Sequence, residues 1–164
     1  MRFDRSNQLR QRIHSLIPGG AHTYAKGDDQ YPEGMAPILV RGLGCRVWDV
    51  DDNEFIAYGA GVRAVTLGHA YPPVVEAARR QLNLGANFVR PALIELECAE
   101  AFLEFVPAAE MVKFCKDGSD AVSGALKLAR AATGRDMVAV CRNHPFFAVD
   151  DWFIGSTGMP GGSP

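Results

Sequence analysis

The residues best suited to chemistry lie between Met111 and Arg135, in MVKFCKDGSDAVSGALKLARAATGR. An apolar run, Met111 to Cys115, meets the polar turn Lys116-Asp117-Gly118-Ser119-Asp120, and a helical pattern opens at about Ser119. A strand that feeds a Gly-Ser turn into a helix can cradle an anion. Gly118 lets the backbone approach a ligand, the first helical N–H groups lack intrahelical acceptors, and Ser119 adds a hydroxyl donor. The same residues also suit an ordinary strand-helix turn, with Ser119 or Asp117 as the helix cap. Asp49, Asp51 and Asp52 form a second cluster of potential ligands. Turn chemistry accounts for it better than a metal, since no calcium-loop spacing follows and the cysteines show no C-x-x-C spacing.

These groups need elements to hold them. Val122, Ala125, Leu126 and Ala129 share one face of a helix that runs to Thr133 and stops at Gly134. Asp136 to Cys141 reads as a further buried strand, which makes a parallel strand-helix-strand unit with Met111 to Cys115. Upstream, Phe3 to Leu16 is predicted as a polar helix with a thin stripe of Leu9, Ile13 and Leu16, a face expected to pack on another domain or subunit. Pro37 to Val40 and Cys45 to Val50 are expected strands joined by a turn at Arg41-Gly42-Leu43-Gly44, and Glu54 to Tyr58 a third strand. Helices are predicted for Pro73 to Leu82, with Val74, Val75, Ala77, Ala78 and Leu82 available to a core, and for Leu93 to Val106. Leu96, Ala99, Leu103 and Val106 would face inward and Glu95, Glu97, Glu100 and Glu104 would be solvated.

A chain of 164 residues, 48% apolar, is long enough for one ordinary domain core, and a net charge of −2 gives no reason to expect nucleic acid or an anionic membrane as partner. Cys45, Cys98, Cys115 and Cys141 are read as buried thiols of a cytosolic protein. The start, Met1-Arg2-Phe3-Asp4-Arg5, lacks the apolar region of a signal peptide, and no apolar run has membrane-span length.

The wording of several stretches resembles the class III aminotransferases, pyridoxal-phosphate (PLP) enzymes of fold type I, with the glutamate-1-semialdehyde 2,1-aminomutases nearest. Lys116-Asp117-Gly118-Ser119-Asp120-Ala121, then Ala125 to Ala131 and Thr133-Gly134-Arg135, is similar to their N-S-G-T-E-A…A-L-(K/R)-L-A-R-A…T-G-R. Val47 to Ile56 resembles W-D-V-D-G-N-E-Y-I, Leu67 to Pro72 resembles L-G-H-x-H/Y-P, and Asp150 to Phe153 resembles a D-W-Y/F continuation. The resemblance implies an α/β fold: an N-terminal helix and small antiparallel meander over residues 1–58, then, over 59–164, the beginning of the PLP-binding large domain with its first β-α-β part.

It also implies roles. Gly118 and Ser119 match the pair that binds the cofactor phosphate, and His69 matches a structural residue ahead of a helix rather than a base. Ungapped counting puts a ring-stacking Tyr on His144, and a shift by two puts it on Phe146. A substrate-carboxylate arginine falls on Lys26, which pairs with a carboxylate but lacks the planar bidentate fork. Gly61 and Val62 stand where the aminomutases have Ser-Trp, and Val62 with the added charge of Arg63 suggests a different, anionic substrate. The implied partners are a small amino or keto metabolite and, in the full-length enzyme, a second subunit, with no nucleic acid, membrane or metal, in the cytoplasm.

PLP chemistry needs a Schiff-base lysine and an acidic partner for the pyridine nitrogen. Lys26, Lys113, Lys116 and Lys127 are the lysines of this chain, and none has the family's context for that role. The expectation is therefore a catalytic lysine outside this chain, no catalytic residue within it, and no transamination by these 164 residues alone. The alternative is a catalytically dead, truncated remnant that acts only as a binding or interaction module.

Overall fold

The computed structural model describes residues 1–139, which fall into two compact units, Met1–Phe88 and the residues from Val89 onward. The first unit begins with α1 (Asp4–Leu16) and contains the antiparallel sheet β1 (Leu39–Leu43), β2 (Arg46–Asp49) and β3 (Glu54–Ile56), in that spatial order. Short 3-10 turns, Pro18–Gly20, Tyr24–Lys26 and Asp28–Gln30, form the strap between helix and sheet.

The first hairpin turns later than its glycines suggest. β1 continues through Arg41 and Gly42, which pair with Trp48 and Val47, and Leu43 pairs with Arg46, so the reversal falls on Gly44 and Cys45. A two-residue connection suits the twist of paired strands. The Arg41 guanidinium lies 3.5 Å above the Trp48 ring, a cation–π contact that favours keeping Arg41 in the ladder. β3 ends at Ile56, short of the expected Tyr58.

Within this unit the apolar stripe of α1 is left largely uncovered: Leu9 and Leu16 are exposed and Ile13 is half-buried. The helix is held at its N-terminus instead. Helical N–H groups in the first turn have no intrahelical partners, and here Asp51, from the β2–β3 turn, accepts from the Arg5 and Ser6 N–H groups at 2.8 and 2.9 Å. Asp49, fully buried, organises that turn by accepting from the N–H groups of Asp51 and Asn53 at 2.9 and 2.8 Å. Phe3 stacks on Phe55 with ring centroids 6.4 Å apart. The three aspartates thus serve as turn and cap residues.

Beyond β3, Ala60–Arg63 makes one turn of helix, α2, of unusual hand, and α3 spans Pro72–Leu84. Proline suits the start of α3, where N–H groups have no helical partner. Val74, Val75 and Leu82, expected in a core, are exposed, because no described element of this unit covers that face.

The second unit contains α4 (Leu93–Phe105) and α5 (Gly118–Thr133). Glu95 accepts from the Ala92 N–H at 3.1 Å and so closes the start of α4. Leu96, expected to face inward, is exposed, and Val106 is exposed just past the helix end. At the far end of α5, Gly134 adopts φ 64°, the left-handed conformation that a β-carbon disfavours, and its N–H bonds the Arg130 carbonyl. The apolar run Met111 to Cys115 forms no ladder; it lies against α4 through an edge-on contact of Phe114 with Phe102, centroids 6.0 Å apart. Residues 136–139 likewise carry no strand pairing, and the remainder of that expected strand lies outside the described residues. A parallel strand exists only through its neighbours' hydrogen bonds, and no described residue supplies them. Cys45, Cys98 and Cys115 are free and exposed rather than buried, Cys45 because it sits at the hairpin reversal. Among the described residues no helix is long and apolar enough to cross a membrane, and no group of three or more His, Cys, Asp or Glu could hold a metal ion.

Candidate functional site

The start of α5 has the local geometry of an anion cradle. The helix begins at Gly118, with Asp117 as N-cap: its Oδ1 accepts from the Asp120 N–H at 2.9 Å. Of the two cap residues that the ordinary strand-helix reading allowed, the structure has Asp117 and not Ser119, and both readings of the turn stay open. A β-carbon built on Gly118 would meet nothing within 4 Å, so the space beside this backbone is open to a ligand. This end of α5 is also the positive end of the helix dipole, which favours an anion. Ser119 stands at the second helical position. The residues present fit a phosphate.

The other candidates lie in the first unit. Lys26 closes the 3-10 turn Tyr24–Lys26, its N–H bonded to the Thr23 carbonyl at 3.0 Å. Its side chain is exposed and borders a cavity of about 80 Å³ together with Arg10, His14, Gly20 and Asp28. Asp28 accepts from Arg10 Nε and lies 2.8 Å from His14 Nε2. The His14 hydrogen bond is the largest influence on the Asp28 carboxyl and holds it below the ordinary aspartate range; partial desolvation opposes this, and Arg10 reinforces it by hydrogen bond and charge.

Val62 and Arg63 are the third and fourth residues of α2, whose φ values from Ala60 to Arg63 are 40°, 60°, 59° and 69°. Four successive residues in the left-handed region make a left-handed turn, which places strain on every non-glycine member and most on the β-branched Val62. His69 sits just ahead of α3 and is committed to structure. Its N–H and carbonyl exchange hydrogen bonds with Gly44 at 2.8 and 2.9 Å, and its ring lies so close to Gly42 that a β-carbon there would come within 2.6 Å of Cγ.

The candidates therefore divide: Lys26, Val62 and Arg63 belong to the first unit, and Gly118 and Ser119 to the second. His144 and Phe146 lie outside the described residues. The Arg10–Asp28–His14 cluster escaped sequence reasoning. Its one legible trace is the i, i+4 spacing that puts Arg10 and His14 on the same face of α1.

The family model for class-III aminotransferases matches residues 28–148. A glutamate-1-semialdehyde 2,1-aminomutase of Chloroflexus aurantiacus is 38% identical over 137 residues, which is 84% of this chain and 31% of the relative. The chain thus spans about a third of the length of the curated relatives it matches. Among solved structures, the Sphingopyxis sp. MTA144 FumI protein in its PLP internal aldimine form is similar with a TM-score of 0.82 and 34% identity, covering 92% of this chain and 36% of that one. A transaminase with PLP bound is similar with a TM-score of 0.84 and 31% identity, covering 94% and 35%.

Proposed function

The chain belongs to the class-III aminotransferase family, and from that premise we propose that it supplies the cofactor-phosphate cradle and part of the substrate-recognition surface of a PLP-dependent aminotransferase or aminomutase. The observation that carries this reading is the opening of α5: a capped sixteen-residue helix whose first residue is a glycine with open space at its side. PLP, when bound, supplies an electron sink at the carbon that bears the transferred amino group. In this reading the chain's own residues bind and orient. The backbone at Gly118 and the backbone and hydroxyl of Ser119 would hold the phosphate and so anchor the cofactor. Lys26 pairs with the carboxylate of a small amino or keto substrate. Arg63, presented by α2, adds positive charge for an anionic substrate, and Val62 leaves room where a bulkier ring would stand. The family resemblance assigns the face of the cofactor ring to His144 or Phe146, both outside the described residues. The division at residue 58, a homodimeric assembly and a cytoplasmic setting are parts of the same proposal, and family membership supports them.

Lys26 and Val62 favour an aminotransferase over an aminomutase, because both depart from the aminomutase pattern at the substrate side, although the aminomutases remain nearest in wording. The test is PLP titration of the full-length protein by absorbance, wild type against Gly118→Val, followed by amino transfer from L-alanine, L-glutamate and β-alanine. The expected result is PLP affinity lowered by tenfold or more, roughly the effect of about 1.4 kcal/mol. Unchanged affinity would remove the cradle from the reading.

A further inference from the structure

The Arg10–Asp28–His14 cluster lies outside any role assigned so far, and its geometry goes beyond that of a surface ion pair. Arg10 and His14 stand one turn apart on α1 and converge on the same oxygen, Oδ2, of Asp28. Asp28 is two residues beyond Lys26, with the buried Gly27 between them. The His14 ring is seated against Gly20, where a β-carbon would come within 2.6 Å of Nε2, so the strap is gripped near both ends of its 3-10 turns. Lys26 borders the same cavity, yet among the described ion pairs Asp28 is engaged by Arg10 and His14 and not by Lys26.

From this arrangement we propose that Arg10 and His14 are positioning residues for substrate recognition: they fasten the strap through Asp28 and, by occupying its carboxylate, keep Lys26 available to an incoming carboxylate. This rests on the reading of Lys26 as a substrate-carboxylate partner and extends it. Arg10 and the His14 ring, both seated on Oδ2, leave that carboxylate little attraction for a third partner. Remove one, and Asp28, which lines the same cavity, becomes a competitor for Lys26. The clasp thus sets both the place of Lys26 and its freedom from internal pairing.

The test uses the full-length protein with bound cofactor and, of L-alanine, L-glutamate and β-alanine, the donor that reacts fastest. The variants are Arg10→Met, Lys26→Met and the double variant, with PLP absorbance as a check on cofactor loading. Arg10→Met is expected to raise KM for the donor by about fivefold with a much smaller change in kcat, the pattern of lost binding rather than lost chemistry. In the Lys26→Met background the same substitution should add little, since residues that act through one another are not additive. A second readout is amide hydrogen exchange over residues 21–28, which should quicken in Arg10→Met. If Lys26→Met leaves KM unchanged, the reading of Lys26 fails, and the clasp's role fails with it. If Lys26→Met raises KM but Arg10→Met does not, or if the two effects add in full, the clasp is overturned and the Lys26 reading stands. No reaction of the wild type with any of the three donors would overturn both.

Discussion

Ser6 and Asp51, 45 residues apart in sequence, are joined twice: the Ser6 hydroxyl and the Ser6 N–H both donate to Asp51 Oδ2, at 2.6 and 2.9 Å. Ser6 Oγ in turn accepts from the Ile38 N–H at 3.3 Å, so one nearly inaccessible hydroxyl ties α1, the strand-entry segment and the β2–β3 turn together. Desolvation is the largest influence on the Asp51 carboxyl and pushes it up. The combined hydrogen bonds from Ser6 and Arg5, with the Arg5 charge, overcome this and hold it below the ordinary aspartate value.

Ser6→Ala should therefore destabilise the first unit by about 1–2 kcal/mol, because it removes a donor to the half-buried Asp51 and the acceptor of the Ile38 N–H at once. Denaturant unfolding followed by tryptophan fluorescence in a Trp152→Phe background reads this through Trp48. A change well under that range would mean water replaces the hydroxyl.

Acid should loosen the same unit. Asp28 and Asp51 both titrate below the ordinary value of 3.8, so their contribution is fully present above that value and is lost as pH falls through the lowered folded values. Stability measured by thermal unfolding should fall steeply below about pH 4. Asp28→Asn with Asp51→Asn should flatten that fall, and an equally steep profile in the double variant would assign it to other carboxylates.

Val62→Gly should stabilise the chain. A β-branched residue in the left-handed region costs about 1–2 kcal/mol, more than the flexibility a glycine adds to the unfolded state. A higher melting temperature with weaker donor discrimination would show strain held in the service of recognition. A lower melting temperature would show that Val62 has packing that outweighs its conformation.

Asp117→Ala and Asp117→Asn separate cap from charge. Alanine removes the bond to the Asp120 N–H and should cost about 1 kcal/mol, while asparagine retains capping ability and should cost a fraction of that. Equal losses would show that the negative charge at the helix start, and not the hydrogen bond, carries the effect.

The helices were legible because their signals are local. Gly134 after a 3-4-7 apolar face announces the end of α5 wherever it sits in the fold, and Pro72 and Gly85 bracket α3 in the same way. The start of α5 was readable for a similar reason, since a cap residue followed by a glycine is a local signal. What escaped depends on distant residues. Arg41-Gly42-Leu43-Gly44 has the composition of a turn, yet Gly42 belongs to a strand because the His69 ring fills the space a side chain would need. The clasp on Asp28 needs the strap to fold back on α1, and no periodicity encodes that closure. The strand expected at Met111 to Cys115 shows the converse: the apolar pattern is present, but a ladder is a property of two segments.

The paired backbone bonds between Gly44 and His69 reach across 25 residues and join the hairpin reversal to the corner that launches α3. A join of this kind converts two loops into one lever. Any tilt of the N-terminus of α3 must be transmitted to the hairpin tip, and the left-handed turn lying between them in sequence is the segment that must absorb the difference. The amides of Gly44 and His69 consequently have no independent opening: they should exchange with solvent at one common rate, as a single mechanical joint.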